Sequence, residues 1–138
     1  MSSESEHNQR IINEFRANDG KVGGYFAGRT LLLLHTLGAK SQQEHINPTA
    51  YVRDNARFVV VASNSGQATN PSWYYNIVAN PLVTIEVRTE TIQARASIAD
   101  EPERTRLYDK MVEMMPGFAE YLLQATRIIP VVILTPLK

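Results

Sequence analysis

The chain has 138 residues, of which 43% are hydrophobic and 20% are charged, as expected for one ordinary globular domain. It has no cysteine, which excludes a disulfide scaffold, a zinc–thiolate site, a cysteine nucleophile and an iron–sulfur cluster. Lys and Arg number 14, as do Asp and Glu, and this zero net charge disfavours nucleic acid as a partner. No apolar run approaches the roughly 20 residues of a membrane span, and the first residues do not resemble a secretory signal. The expected compartment is therefore the cytoplasm, with peripheral membrane contact left open.

The first half of the chain predicts one helix and three strands. The helix is expected over about residues 7–18, where apolar residues share one face and Asn18-Asp19-Gly20 ends it. Residues 31–34 are four leucines between two glycines, which is typical of a strand buried on both faces. Turn-forming residues separate two further apolar runs and so predict a hairpin, with strands at 46–52 and 57–63.

The second half predicts three helices and three strands. Pro71 after Asn70 begins a short helix, and Asn80-Pro81 ends it. Apolar residues fall at odd positions in 83–87 and at even positions in 92–98. This change indicates two strands joined by a turn near Thr89-Glu90. The last elements are a helix capped by Asp100 and Glu103 that buries Leu107, Met111 and Met115, a helix over 118–125, and a strand at 131–134.

Strands dominate this order and follow one another as a meander. We therefore expect an α+β fold built on a small antiparallel barrel of about six strands. Residues 1–7 are rich in Ser and Glu and are expected to form a disordered tail, so that residues 8–138 make a single domain.

The loop after the leucine strand is the first candidate site. Gly38 permits a tight turn, backbone N–H groups can face an anion, and Lys40 and Ser41 add a charge and a hydroxyl. This chemistry suits a phosphate group. The order of residues is not that of a Walker A loop. The alternative is a plain hairpin loop with one solvated lysine.

The second candidate site joins the end of a strand to the start of a helix, from Ser63 to Trp73. A helix start offers free N–H groups to an anion or an acceptor-rich ring. The alternative is an ordinary connection in which Trp73 fills the core. The three histidines, His7, His35 and His45, lack metal-ligand spacing, so no metal site is expected.

Five strings of residues, taken in order, carry a resemblance to a known family. They are Phe15-Arg16-Ala17 with 20–24, then 31–41, 59–63, 70–81 and 127–132. Together they resemble the deazaflavin-dependent nitroreductase family of actinobacteria over nearly the whole chain from residue 8. The resemblance implies a split β-barrel of the FMN-binding type with peripheral helices. It also implies coenzyme F420, an 8-hydroxy-5-deazaflavin with a phosphate and a polyglutamate tail, and makes FMN the less favoured cofactor.

The resemblance assigns roles to particular residues. Phosphate contacts fall on the first candidate loop and its neighbour, and ring contacts on the second. The residues implied to bind the coenzyme are Ala39, Lys40, Ser41, His45, Asn47, Pro48, Thr49, Ala50, Val61, Ala62, Ser63, Asn64, Ser72, Trp73, Tyr74 and Asn76. The residues implied to bind the substrate are Met115, Phe118 and Tyr121. Tyr121 is also the candidate catalytic hydrogen-bond or proton donor, with a core-facing aromatic residue as the alternative.

The chain departs from the family pattern at several positions. The family loop usually reads Gly-Arg-Lys-Ser-Gly, and Ala39 and Gln42 replace the Arg and the second Gly. His45 stands where a later Arg is usual, and Asn64 where a basic residue or glycine is common. Two or three cationic contacts to the coenzyme tail are therefore absent.

The resemblance implies an oxidoreductase in which reduced deazaflavin gives a hydride to an electron-poor acceptor, such as a quinone, an enone or a nitroaromatic. One alternative is a non-catalytic barrel that binds a deazaflavin, a flavin or a haem-like ligand. Another is a protein-interaction domain without a ligand. The sequence leaves the choice between monomer and homodimer open.

Overall fold

The computed structural model describes residues 3–21, 30–64, 68–124 and 127–137, without the side chains of 3–5 and 122–124. The helix expected over 118–125 is therefore described only to residue 124, and the side chain of Leu122 is not described. The described elements are, in chain order, α1 (Ser3–Ala17), β1 (Leu31–Leu37), β2 (Glu44–Ala50), β3 (Val52–Asp54), β4 (Arg57–Val61), α2 (Ser72–Ala79), β5 (Leu82–Val87), β6 (Glu90–Ile98), α3 (Glu103–Met114), α4 (Phe118–Gln124) and β7 (Val131–Pro136).

The seven strands form one sheet in the order β2-β1-β5-β6-β7-β4-β3, and every pairing is antiparallel. β2 and β3 are the two edges of this sheet, yet only Tyr51 separates them along the chain. The sheet must therefore curl until its edges meet. The predicted α+β fold with an antiparallel barrel is confirmed, with seven strands instead of about six.

Tyr51 is the corner at which the barrel closes. Its backbone N–H donates to the carbonyl oxygen of Thr30 at 3.1 Å, and its ring meets Phe58 edge-on with centroids 5.5 Å apart. The predicted single strand over 46–52 is therefore wrong, because the chain changes partner from β1 to β4 at this residue. The predicted hairpin into β4 is confirmed, with Asn55 in the left-handed conformation (φ 57°) that asparagine tolerates.

Two helix starts differ from the sequence-based expectation. α1 begins at Ser3, so residues 3–7, assigned above to a disordered tail, are helical. α3 does not use the expected Asp100–Glu103 capping box. Instead the Glu101 carboxylate accepts from the Thr105 backbone N–H at 2.9 Å and from its hydroxyl, which satisfies an otherwise unpaired N–H of the first turn.

Side chains on β1 alternate between two buried layers. Leu32 and Leu34 face the barrel interior, which Trp73 and Ile77 of α2 help to fill. Leu31 and Leu33 face outward, where they pack against Ile12 and Phe15 of α1. The expectation that the leucine run is buried on both faces is confirmed.

A third apolar layer covers the outer face of β4 and β7. Leu107, Met111 and Met115 of α3 and Phe118 of α4 pack there against strand residues such as Val59 and Ile133. The Tyr108 hydroxyl joins the two helices by donating to the Phe118 carbonyl oxygen at 2.8 Å, and burial raises the pKa of Tyr108 to about 12.

Asp54 ties the β3–β4 hairpin to α3. Its carboxylate, 7% exposed, accepts from Arg57 and from both terminal nitrogens of Arg106 at 3.2 Å, and Lys110 Nζ lies 3.5 Å away. Hydrogen bonds from Arg106 and Arg57 hold the pKa of Asp54 well below its usual range. The charged form is thus the one that the folded state favours.

We predict that Asp54→Asn lowers the free energy of unfolding by about 2 kcal/mol at pH 7, since a buried carboxylate loses charge-assisted hydrogen bonds. A lowered folded-state pKa stabilises above the unfolded value of about 3.9, and this stabilisation is lost as pH falls. The difference between variant and wild type should therefore shrink from pH 7 toward about pH 3 in urea unfolding. Asp109→Asn, at an exposed position of α3, is the control. An Asp54→Asn deficit that stays constant with pH would contradict the assignment.

Candidate functional site

Both candidate loops leave the barrel at the same end. β1 runs antiparallel to β5, β5 to β6, β6 to β7, and β7 to β4, so β1 and β4 both finish at the end of the barrel where β5 and β7 start. We call this the upper end of the barrel. The loop 38–43 follows β1 there, and the segment 62–70 follows β4. The sequence alone does not indicate that the two loops share one end of the barrel.

The loop 38–43 is closed by backbone hydrogen bonds. The Gly38 N–H donates to the Gln43 carbonyl oxygen at 2.8 Å, and the Gln42 N–H donates to the Gly38 carbonyl oxygen at 3.0 Å. The Ser41 hydroxyl accepts from the Gln43 N–H at 3.2 Å. Lys40 is exposed at the tip, and within the described residues it has no acidic partner. The loop thus presents one unpaired cation on a fixed backbone.

Gly38 has no side chain, and the side chains of Ser41 and His45 lie close to its Cα atom. A Cβ atom at this position would lie 2.3 Å from Ser41 Oγ, closer than real Cβ contacts, and 3.1 Å from His45 Nε2, tighter than most of them. Ser41 and His45 therefore occupy the space that any larger residue would need. The predicted need for glycine at this turn has a steric cause.

Asn76 of α2 connects this loop to the helix. Its side chain is buried, with Oδ1 accepting from the Ala39 N–H at 3.0 Å and Nδ2 donating to the Thr36 hydroxyl at 3.0 Å. These bonds hold the loop against α2. The Ala39 N–H is consequently bound to protein. Direct coenzyme contact by Asn76 stays a prediction, whereas its bracing role is one that sequence reasoning missed.

Arg127 holds the segment 62–70. One terminal nitrogen of its guanidinium donates to the carbonyl oxygens of Ala62, Ser63 and Thr69 at 3.0–3.1 Å, and the other donates to Asn70 Oδ1. One side chain therefore fixes both ends of the segment. Arg127 belongs to a string quoted above, but its partners lie 57–65 positions away, so no local signal indicates this role.

The start of α2 mixes core and surface residues. Trp73 is 6% exposed and fills the barrel interior, as the alternative reading expected, and Tyr74 packs against the same core. Ser72 is exposed, and Pro71 before it provides no side-chain cap. The first N–H groups of α2 are therefore without a cap from the residue that precedes them.

The predicted residues of β2 divide between two faces. His45, Asn47 and Thr49 pair with interior-facing residues of β1 and share their face. Pro48 and Ala50 have the opposite parity, and Ala50 packs beside α1. The predicted stretch 47–50 therefore cannot present four side chains to one ligand, because strand side chains alternate.

The predicted substrate residues differ in exposure. Met115 and Phe118 are 7% and 8% exposed and belong to the outer apolar layer, where they offer little surface to a substrate. Tyr121 is half-buried, and its ring lies edge-on to Phe118 at 5.1 Å. Of the three, Tyr121 is thus the side chain with accessible surface. Substrate contact by the trio stays a prediction.

His35 lies outside this site, on the face covered by α1. Its Nδ1 is 3.2 Å from a Glu44 carboxylate oxygen and its Nε2 is 2.5 Å from Glu86, which also accepts two hydrogen bonds from Arg16. The Arg16 guanidinium holds the pKa of Glu86 below its usual range. Among the described residues no cluster could hold a metal ion, and no helix there has the length and apolarity to cross a bilayer.

We predict that Gln42→Gly raises the free energy of unfolding by about 0.5–1 kcal/mol. Gln42 has φ 59°, a left-handed conformation that costs an L-residue roughly 1–2 kcal/mol and that glycine adopts freely, less the extra entropy that glycine loses on folding. The measurement is equilibrium urea unfolding. Gln43→Gly, at a position without positive φ, should instead lower stability by about 0.5–1 kcal/mol. Equal effects of the two substitutions would contradict the conformational argument.

The curled antiparallel sheet with two braced polar loops at one end defines a split-barrel protein of the FMN-binding-like type. The family model of the F420H(2)-dependent quinone reductases matches residues 8–136. The chain therefore belongs to the F420H(2)-dependent quinone reductase family, and it is an oxidoreductase with coenzyme F420 as its cofactor.

Individual relatives agree with this assignment. An F420H(2)-dependent quinone reductase of Mycobacterium tuberculosis is 34% identical over 125 residues, which cover 88% of this chain and 84% of the relative. A solved F420-H2-dependent reductase superposes with a TM-score of 0.72 at 34% identity, covering 81% of this chain and 99% of its own. A structure described as a domain-swapped dimer reaches 0.73 at 33% identity, covering 94% of both chains. The resemblance, the split barrel and the cofactor expected from the sequence are confirmed.

Proposed function

We propose that the upper end of the barrel is where the coenzyme binds, with its phosphate at the loop 38–43 and its ring beside the segment 62–64 and the start of α2. The observation that carries this proposal is the position of Lys40. It is an unpaired cation on a loop that Asn76 fastens to α2, at the same end of the barrel as the residues that Arg127 holds. A site that is held in shape before binding loses less entropy on binding.

The donors at this end suit a phosphorylated, planar ligand. Lys40 supplies a charge, Ser41 a hydroxyl, and the uncapped start of α2 supplies backbone N–H groups, which favour anions and ring acceptors. The buried backbone of Ala62 and Ser63 supplies a fixed wall. The residues present therefore fit the deazaflavin coenzyme, with fewer cations for its tail than the family pattern provides.

The reduced coenzyme supplies a hydride, and the protein supplies orientation and a dry environment. Ala62, buried with Trp73 in the interior layer, and the braced carbonyl groups of the 62–70 segment would fix the plane on which the ring rests. Tyr121 would stabilise a developing oxyanion on the acceptor by donating a hydrogen bond from its hydroxyl. This chain's part in the reaction is thus positioning and hydrogen bonding.

We propose a quinone as the acceptor. Tyr121 packs against the apolar layer that contains Met115 and Phe118, and neither of these two residues has a hydroxyl. A quinone is planar and largely apolar, and it needs a hydrogen bond only at its carbonyl oxygens. A nitro group needs more donors than one tyrosine provides, and each missing bond costs about 0.5–1.5 kcal/mol.

We predict that Lys40→Ala weakens coenzyme binding by about 1.5–3 kcal/mol, the usual size of a charge-assisted hydrogen bond. The loss should be smaller at high salt, since Lys40 is exposed and its field is screened. Titration of the coenzyme, followed by its own fluorescence, measures this. Lys110→Ala, near Asp54, is the matched control and should bind as the wild type does. Unchanged affinity of Lys40→Ala at low salt would move the phosphate to another place.

We predict that a menadione-like quinone is reduced faster than a bicyclic nitroimidazole, by roughly one to two orders of magnitude if two hydrogen bonds are lost. Oxidation of the reduced coenzyme is followed with each acceptor in turn. Tyr121→Phe should slow quinone reduction while coenzyme affinity is retained. Equal or faster turnover of the nitroimidazole would refute the proposed acceptor, and an unaffected Tyr121→Phe would remove the role of its hydroxyl.

A further inference from the structure

A half-open cavity of about 470 Å³ lies at the opposite end of the barrel, which we call the lower end. Four segments line it: residues 19–21 after α1, residues 30–31 at the start of β1, Tyr51 at the barrel corner, and residues 88–89 in the β5–β6 turn. Its volume lies within the range of about 300–1,000 Å³ typical of small-molecule sites. None of these residues belongs to the proposed coenzyme site.

The charges around this lower cavity favour an anion. Lys21 and Arg88 both line it, and neither has an acidic partner within the described part of the chain. Asp19 is the one carboxylate among the described lining residues. A neighbouring cavity of about 230 Å³ shares Asp19 and Arg88 and adds Arg16, Glu86 and Glu90. Its lining therefore has two cations and three carboxylates, whereas the larger cavity has two cations and one carboxylate.

Tyr51 presents an unused hydrogen-bond donor to the lower cavity. The residue is 7% exposed, and its hydroxyl makes no hydrogen bond to any described residue. Every fully buried side-chain oxygen or nitrogen in the described structure has a hydrogen-bond partner. The Tyr51 hydroxyl has none, so it is not fully buried and is reached from the cavity. Burial raises the pKa of Tyr51, which keeps the hydroxyl protonated and able to donate. Such a donor, almost enclosed by protein, is suited to a ligand oxygen.

The walls of the lower cavity are held in place by backbone packing. Gly20 has φ 90°, and a Cβ atom there would lie 2.8 Å from Arg88 Cα. Its N–H donates to the Phe15 carbonyl oxygen at 2.8 Å, and the Lys21 N–H donates to that of Asn18 at 3.1 Å. The end of α1 thus rests directly on the β5–β6 turn. Lys21 and Arg88 are therefore carried by two segments that are in contact.

We propose that the lower cavity binds a phosphorylated small molecule, with its phosphoryl group between Lys21 and Arg88. The Arg88 guanidinium can bind two phosphate oxygens at once, and the ammonium of Lys21 and the Tyr51 hydroxyl supply donors for the remainder. Two cations and one phenolic donor match the charge and the several acceptors of a phosphate monoester. A single carboxylate would leave part of this donor set unused.

The test is an assigned ¹H–¹⁵N NMR titration of the Lys40→Ala protein, in which the upper phosphate site has been weakened. The probes are inorganic phosphate, glycerol 3-phosphate and succinate. We expect saturable shifts at the amides of Thr30, Arg88 and Thr89, with glycerol 3-phosphate binding most tightly and succinate least. Shifts confined to residues 39–41, or none that saturate, would overturn the lower site, and tighter binding of succinate would overturn its phosphoryl preference.

Variants separate recognition from folding. Arg88→Ala should weaken binding of glycerol 3-phosphate about tenfold, the usual effect of losing a charge-assisted contact. Tyr51→Phe should weaken it about threefold to tenfold while the ring stays on Phe58 and thermal unfolding without ligand is little changed. Arg10→Ala, an exposed arginine of α1 outside the cavity, should have no effect. Equal losses for Arg88→Ala and Arg10→Ala would show a non-specific charge effect and would overturn the lower site.

Coenzyme affinity measured in Arg88→Ala should equal that of wild type. The lower site and the proposed coenzyme site can therefore fail independently.

Discussion

Closure of the sheet at Tyr51 is the constraint on which the other features depend. Because β2 and β3 are consecutive in the chain but lie at opposite edges of the sheet, the strand between them must turn a corner. A buried aromatic residue anchored to Thr30 through its backbone makes that corner. Closure separates an interior, filled partly by α2, from an exterior covered by α1 on one side and by α3 and α4 on the other.

Closure also decides where chemistry is located. Loops of an antiparallel barrel lie only at its two ends, and in this chain the two polar loops lie at the same end. Each is held by one long-range side chain, Asn76 for the first and Arg127 for the second. The site is thus carried on strands and braced by polar side chains, so that the loops can present donors without depending on their own rigidity.

Local signals predicted most of the elements and the family, because burial on both faces, alternation and turn residues are properties of short stretches. The leucine run of β1 and the parity switch between β5 and β6 are examples. The sequence could not supply the contacts between residues that are far apart in the chain. The division of one apolar run at Tyr51 follows from strand partners, and the roles of Asn76 and Arg127 follow from atoms 37 to 65 positions away. The predicted coenzyme contacts at 47–50 stay predictions, and the alternation of β2 places their side chains on two faces, which a run of consecutive residues does not indicate.

Pro48 has a consequence for how copies of this chain meet. It lies in β2, an edge of the hydrogen-bonded sheet, where it pairs with Leu33. Proline has no N–H, so a strand arriving from another molecule would find its ladder of hydrogen bonds interrupted at the middle of this edge. Because Pro48 supplies no N–H, this edge is a poorer template for a strand of another molecule before the barrel has closed.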